Sequence, residues 1–246
     1  PLSFLEYREF ASATDDYPAD GNELFRAFMT YGGMPGLFEL PFSQNQERRD
    51  ELTSLFDAII LNDVARRARV SDVDLLTKLI KYVYSTSGSL FSTNKISNAL
   101  TSMGRKVKPE TIDNYLVALE RAFALYQCNQ EGVAGKQILR PLKKLYPVDT
   151  GFRNLPNGFS GVDLGFQLEN IVFVELKRRE YNVCVGAMQN AEVDFVATRR
   201  GEKEYLQVTT SLLDETVFRR ELAPLETIED SFPKTILTLD GWRTGI

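Results

Sequence analysis

The 246-residue sequence contains no histidine and only two cysteines, Cys128 and Cys184. Without histidine the chain cannot carry Ser-His-Asp or Cys-His catalysis, or a zinc site with a histidine ligand. Two widely separated cysteines do not form a disulfide scaffold, and they indicate a reduced, cytoplasmic protein. These absences remove several common classes of hydrolase and of zinc-binding domain.

Long apolar runs and an excess of positive charge are also missing. No run of about 18 apolar residues and no cleavable signal is visible, so we expect no membrane partner. The net charge of −5 argues against a surface coated in positive charge for nucleic acid, although a local basic patch remains open. Hydrophobic residues make up 43% of the chain, which is enough for real cores. The chain begins at Pro1 instead of methionine, so we expect it to be a fragment of a longer protein.

Hydrophobic periodicity predicts a multi-domain α/β chain. We expect a helical segment, a winged-helix domain and an α/β domain at residues 1–70, 71–150 and 151–246. In the helical segment, residues 1–70, Asn22 is the predicted N-cap of a helix that begins at Glu23. Apolar residues at helical spacing between Ser43 and Arg67 predict a long amphipathic helix.

The middle domain is predicted to hold three helices and a hairpin, which is a helix-turn-helix plan with a wing. Its second helix begins near Ser92 or Thr93, and Pro109 takes a first-turn position in the third. The segment from Gly132 to Gln137 lacks the spacing of a P-loop, so no nucleotide site is expected there. Candidate phosphate-binding residues are Lys95, Arg105, Lys106, Lys108, Lys136, Arg140, Lys143 and Lys144. Because the third helix is rich in acids, DNA contact and a purely architectural role both remain open.

The last domain is predicted to contain an apolar helix over residues 166–180, two polar-faced strands, a helix over 213–225 and a strand over 235–239. Side chains alternate across a strand, so Glu192 and Asp194 share one face, as do Gln207 and Thr209 on the next strand. Glu169 interrupts the apolar stripe of the first helix. A carboxylate in such a position is costly unless it is paired or binds a cation.

These residues form a candidate nuclease-like catalytic site: Glu169, Glu192, Asp194, Gln207 and Thr209. Magnesium-dependent cleavage needs carboxylates and a lysine that steadies the attacking water. Glu169 and Asp194 are the candidate metal ligands. Gln207 offers only a neutral carbonyl and Thr209 carries no positive charge, so we expect the lysine to be absent. The alternatives are solvated carboxylates on the strand and, for Glu169, a backbone cap or an ion pair with Arg178 or Arg179.

Six short segments, taken in order, carry a family resemblance. They begin at Pro1 (PLSFLEY), Tyr31 (YGGMP), Asp63 (DVAR), Lys144 (KLYPVDTG), Leu168 (LEN) and Glu192 (EVDF). The set resembles the C-terminal region, a domain of unknown function, of uncharacterised bacterial and archaeal AAA+ ATPases. That resemblance implies an N-terminal ATPase domain with Walker motifs outside this chain, a winged helix, and a domain similar to PD-(D/E)xK nucleases. Many relatives keep Glu-x-Lys on the second strand, where this chain has Gln207-Val208-Thr209.

The expected function is that of a regulatory and binding region of a cytoplasmic ATPase, which contacts DNA or a protein partner through the winged helix and adjoins its own ATPase domain. The nuclease-like domain is expected to be degenerate, and the fragment to have no activity alone. We expect no cofactor in this fragment. ATP and Mg²⁺ belong to the ATPase domain, and Mg²⁺ belongs here only if the site cuts. The alternatives are a divergent metal-dependent nuclease, with Arg178, Arg179 or Lys203 replacing the lysine, and a protein-interaction module in a stress or toxin-related system.

Overall fold

The computed structural model of the chain describes residues 1–59, 64–67, 70, 72–133, 142–159, 164–189 and 191–241. The chain divides into two compact units. The first unit comprises Pro1–Gln127 with Leu145–Gly161, and the second comprises Cys128–Lys144 with Val162–Ile246. The predicted α/β class is confirmed. The first unit holds residues 1–70 and most of residues 71–150, and the second unit holds most of residues 151–246.

The first unit opens with helices α1 (Phe4–Ser12), α2 (Gly21–Tyr31), α3 (Asn45–Asp57) and α4 (Ala65–Arg67), and Pro35–Glu39 forms a 3₁₀ turn. Asn22 was predicted to cap α2, and this is wrong. The Asp20 carboxylate accepts the Asn22 N–H at 2.7 Å and so satisfies a free donor of the first turn. The predicted helix from Ser43 to Arg67 is represented by α3 and α4, and residues 60–63 between them lie outside the described part of the chain.

A buried carboxylate, that of Asp149, joins two glycine-containing segments of the first unit. Its Oδ2 accepts the Gly33 N–H at 2.7 Å and its Oδ1 accepts the Gly151 N–H at 2.8 Å. A Cβ on Gly151 would overlap the carbonyl oxygen of Tyr31, and one on Gly32, whose φ is +77°, would overlap the Asp149 carboxylate. Close backbone packing around one carboxylate therefore requires glycine in both segments.

The rest of the first unit holds helices α5 (Val73–Ser85), α6 (Thr93–Ser102), α7 (Pro109–Arg121) and α8 (Thr150–Asn154), and strand β1 (Leu90–Phe91). Two further strands, β2 (Leu125–Gly132) and β3 (Lys143–Pro147), each have residues in both units. The strand order is β1-β3-β2. Ser92 caps α6, with its hydroxyl accepting the Lys95 N–H, and Pro109 occupies the first turn of α7; both predictions are confirmed. Buried Leu79, Ile112 and Leu116 belong to the apolar core beneath these helices.

The second unit contains α9 (Leu164–Arg178), β4 (Asn182–Ala187), β5 (Glu192–Arg199), β6 (Glu202–Val208), α10 (Glu215–Glu226) and β7 (Lys234–Leu237). The strand order is β2-β4-β5-β6-β7, parallel at β2/β4 and β6/β7 and antiparallel at β4/β5 and β5/β6. Arg200 and Gly201 join β5 to β6 with φ values of 54° and 88°, which suit a two-residue hairpin. The predicted elements are present, with ends moved by a few residues. No helix among the described residues is long and apolar enough to cross a membrane.

Candidate functional site

A cluster of charged side chains lies in the second unit, where three elements meet. α9 carries Glu169, β5 carries Glu192 and Asp194, and β3 carries Lys144. The ammonium nitrogen of Lys144, Nζ, lies 3.1 Å from a carboxylate oxygen of Glu169 and 2.9 Å from one of Glu192. The same atom lies 3.6 Å from Asp194 Oδ1. The structure thus brings the three candidate carboxylates together around one cation.

The position of Lys144 corrects two expectations. Lys144 is a predicted phosphate-binding residue of the wing, but its side chain is 3% exposed and is held by carboxylates. The expected absence of a lysine from the cluster is also wrong. The nuclease pattern places a lysine on the strand of Gln207, whereas the lysine of the cluster comes from β3, far upstream in the chain. One signal was available: alternation places Lys144 on the same strand face as Tyr146, which is fully buried.

Burial and neighbouring charges shift the pKa values of the two central groups, Lys144 and Asp194. Burial alone would lower the pKa of Lys144, but the carboxylates of Glu169, Asp194 and Glu192 outweigh it and raise that pKa above its ordinary value. Burial raises the pKa of Asp194 from 3.8 to about 7, and the Glu169 charge adds to the effect. Lys144 is therefore a firmly held cation, and Asp194 titrates near neutral pH.

Gln207 and Thr209 stand at the two positions that would complete the nuclease pattern. The Gln207 side-chain oxygen accepts the Asp194 backbone N–H at 3.0 Å, and its amide nitrogen donates to Glu221 at 3.1 Å. The carboxylate of Asp194 also accepts the Val208 N–H at 2.9 Å. The Thr209 hydroxyl donates to a backbone carbonyl at 3.4 Å. Gln207 therefore holds the Asp194 backbone and the Glu221 carboxylate by hydrogen bonds and brings no charge of its own.

Glu221 and Arg220, on α10, were missed by the sequence reasoning. Glu221 is 8% exposed, and one of its oxygens accepts two hydrogen bonds from the Arg220 guanidinium, at 3.1 and 2.7 Å. Both residues line an open cleft of about 530 Å³, together with Glu192, Asp194 and Gln207. The available signal was an acid one turn before the buried Leu225, on the apolar side of the helix.

The cluster does not fit a divalent cation in its present arrangement. Among the described residues, no group of three or more acidic or cysteine side chains is arranged to hold a metal. Magnesium needs oxygen ligands at about 2.0–2.1 Å and calcium at about 2.3–2.6 Å. The Lys144 ammonium lies 2.9 to 3.6 Å from the carboxylates of Glu169, Glu192 and Asp194. In this arrangement the three carboxylates hold an ammonium group.

The residues proposed to stand in for the lysine lie elsewhere in the second unit. Arg178 and Arg179 follow one another at the end of α9, and Arg179 pairs with Glu175 at 2.7 Å. The ammonium of Lys203 lies over two aromatic rings, 5.7 Å from the centre of Tyr205 and a similar distance from a second ring. The cation at the cluster is Lys144.

The other candidate phosphate-binding residues have different surroundings. Lys95, Lys106 and Lys108 are exposed around α6 and the start of α7. The Arg105 guanidinium instead forms ion pairs with Asp72 at 2.5 Å and with Asp74 at 2.6 Å. Lys143, at the start of β3, is half-buried. Lys136 and Arg140 lie outside the described residues.

Comparison with protein families accounts for most of the first unit. Residues 22–162 match the model of a family described as Domain of unknown function (DUF8612). The chain belongs to this family. The matched range includes Lys144 and ends before the carboxylates of the cluster, which lie on α9 and β5.

Two similar proteins extend the comparison to almost the whole chain. An uncharacterized protein of Haemophilus influenzae is 35% identical over 238 residues, which is 97% of this chain and 58% of that protein. The uncharacterized protein MJ1544 of Methanocaldococcus jannaschii is 29% identical over 92% of this chain and 52% of its own length. The chain therefore spans a little over half the length of these relatives. No solved structure matches it.

Proposed function

We propose that this DUF8612 chain is a regulatory and binding region of a longer cytoplasmic protein of the AAA+ ATPase type. In this proposal the first unit contacts DNA or a protein partner through a winged helix. The second unit is a nuclease-like scaffold that is retained for binding. The ATPase domain, with its ATP and Mg²⁺, belongs to the part of the relatives that this chain does not span, and their greater length leaves room for it.

The order of elements supports a winged helix in the first unit. The elements follow along the chain in the order α5, β1, α6, α7, β2 and β3, and the three strands lie side by side in the order β1-β3-β2. Lys95, Lys106 and Lys108 are exposed on or beside the two helices that would approach DNA. The exposed side of α7 carries Asn114 but also Glu110, so a basic protein partner is compatible with the same surface.

One observation carries the proposal that the second unit does not cut: an internal ammonium, that of Lys144, occupies the centre of the carboxylate cluster. A buried ion pair whose remaining hydrogen bonds are satisfied resists rearrangement, because removing either partner leaves a charge uncompensated. Gln207 adds to this rigidity by bridging Asp194 and Glu221. The site therefore supports a fixed scaffold better than a reaction centre.

DNA affinity measured against salt tests the binding role. We expect the chain to bind a fluorescently labelled duplex. The plot of log Kobs against the logarithm of the salt concentration should have a slope of about −0.9 for each phosphate contact. The double variant Lys106→Glu, Lys108→Glu should weaken binding and flatten this dependence. Lys81→Glu, a reversal at another exposed lysine of the same unit, is the matched control. No binding at low salt would remove DNA as the partner and leave a protein in its place.

A second candidate, a divergent metal-dependent nuclease, is favoured by the carboxylates of the cluster and by Lys144, a lysine of the kind that such cleavage needs. Three carboxylates surround one ammonium, and a fourth, Glu221, lines the adjoining cleft. Incubating the chain with plasmid and Mg²⁺ or Mn²⁺ separates the two candidates. We expect no cleavage. Cleavage that Asp194→Ala abolishes would establish the nuclease and overturn the proposed scaffold role.

A further inference from the structure

We infer that the second unit binds the phosphate backbone of DNA through four arginines at the end of the sheet remote from the carboxylate cluster. This arginine patch consists of Arg178 and Arg179 on and just after α9, and of Arg199 and Arg200 where β5 turns into β6. The inference builds on the proposed binding role and adds a second surface, which neither the candidate site nor the winged helix includes.

Direct contacts hold the two halves of the arginine patch together. The Arg199 guanidinium donates to the backbone carbonyl of Arg179 at 3.0 Å and lies 4.4 Å from the ring centre of Tyr181. Arg200 is the first residue of the β5–β6 hairpin turn, and Arg178 precedes Arg179 in the chain. The four positions thus form one surface made from two elements that are distant in sequence.

The arginine patch is exposed and positively charged. All four arginines are exposed, and 59% of the Arg179 side chain is accessible to solvent. The ends of these elements near the patch also contribute Lys177 and Lys203, and they carry four carboxylates, on Glu175, Glu180, Glu202 and Glu204. Cations outnumber acids here in a chain whose net charge is −5. Such a local excess attracts a polyanion.

The stability of α9 accounts for part of the patch only. Cations near a helix C-terminus stabilise the helix dipole, and the bond from Arg199 to the Arg179 carbonyl satisfies one of the last free acceptors. Arg200 has no such role, because it lies in the turn and makes no hydrogen bond or ion pair with a described residue. It places a charged side chain in solvent at a backbone angle, φ 54°, that most residues avoid.

The chemistry of the arginine patch favours DNA over a lipid surface. Guanidinium groups bind phosphate in a bidentate manner, and they are weakly hydrated compared with lysine ammonium groups. A membrane-binding surface usually adds apolar side chains that insert among the lipids. No large hydrophobic side chain is exposed in the described part of residues 177–203.

The arginine patch lies far from the carboxylate cluster, so DNA bound there would not reach the carboxylates. Arg199 follows Asp194 by five residues along β5, which corresponds to about 17 Å at about 3.3 Å per residue. A backbone held by the arginine patch therefore lies well away from the carboxylates. The second unit would then support DNA through one end of its sheet, while the cluster stabilises the other end.

The test measures binding of the whole chain to a labelled DNA duplex across a salt series. The double variant Arg178→Gln, Arg200→Gln should make the slope of log Kobs against log salt less negative by about 1.8, because two phosphate contacts are lost. Arg200→Gln alone changes only an exposed turn and should give about half that effect. Arg219→Gln is the matched control, since it removes an arginine whose side chain is 78% exposed on α10. Circular dichroism verifies that each variant is folded.

The outcomes separate this inference from the proposed function. Unchanged affinity in the double variant, together with weaker binding by Lys106→Glu, Lys108→Glu, would overturn the arginine patch and leave the winged-helix proposal intact. No binding of wild-type chain to the duplex at low salt would overturn both. A double variant that loses binding to phosphatidylserine vesicles while keeping its DNA affinity would identify a lipid surface and refute the inference.

Discussion

Replacing Asp194 by asparagine should stabilise the second unit, and the gain should grow as the pH rises. Burial, with the Glu169 charge, raises the pKa of Asp194 from 3.8 to about 7 in the folded chain. A carboxyl with a raised folded pKa contributes stability that is fully present below pH 3.8 and is lost as the pH rises toward 7. Asparagine keeps the shape and an oxygen for the Val208 N–H, but it does not titrate.

The magnitude follows from the two pKa values. Each pH unit between them is worth about 1.4 kcal/mol. The ionised Asp194 carboxylate therefore costs the folded unit up to about 4 kcal/mol at pH 8, relative to the unfolded chain. At pH 4 the wild-type side chain is nearly neutral, so the two proteins should have similar stability. The predicted difference is small at pH 4 and several kcal/mol at pH 8.

Hydrogen exchange of the β5 and β6 amides, followed by mass spectrometry at several pH values, measures this local stability. Comparing variant with wild type at each pH removes the effect of pH on intrinsic exchange. Glu226→Gln, at an exposed acid of α10, is the control for replacing a carboxyl by an amide. If Asp194→Asn changes protection equally at pH 5 and pH 8, or lowers it at pH 8, the interpretation of a strained buried carboxylate is wrong.

Two further predictions concern the buried charge and the glycine packing. Lys144→Met should destabilise the second unit by about 3–5 kcal/mol, because it leaves the carboxylates without their cation. Hydrogen exchange of the β5 amides measures this loss of stability. A loss no larger than that caused by Lys234→Met, at an exposed lysine, would contradict the prediction. Gly151→Ala should destabilise the first unit by about 1–3 kcal/mol, since the added Cβ overlaps the Tyr31 carbonyl. Thermal unfolding compares it with Gly21→Ala, where the Cβ meets open space; equal melting temperatures would refute the argument.

Local signals predicted many of the elements of this chain. Ser92 and Pro109 mark the beginnings of α6 and α7 because capping and first-turn preferences depend on nearby backbone groups. The cap of α2 was misplaced because Asp20 and Asn22 are both good caps, and the choice depends on where the chain enters the helix. Local patterns therefore fix the type of an element more securely than its end.

The candidate site was only partly predictable, because its decisive contacts are distant in sequence. Alternation on β5 was enough to pair Glu192 with Asp194. The role of Lys144 depends on β3 reaching the same cluster, and no local pattern gives that information. The same limit applies to Arg105. Its basic neighbours in the sequence suggest phosphate contact, but its ion-pair partners, Asp72 and Asp74, lie at the beginning of α5, about 30 residues earlier in the chain.

The orientation of the Gln207 amide has a consequence for how such a protein could evolve. Its nitrogen must donate to Glu221 while its oxygen receives the Asp194 N–H, so the two ends are not interchangeable. A single codon change to glutamate would place an acid at position 207, but it would remove that donor and set two negative groups about 3 Å apart. An acid at position 207 would therefore require a compensating change at Glu221 on α10. Substitution of Gln207 alone should give a less stable protein.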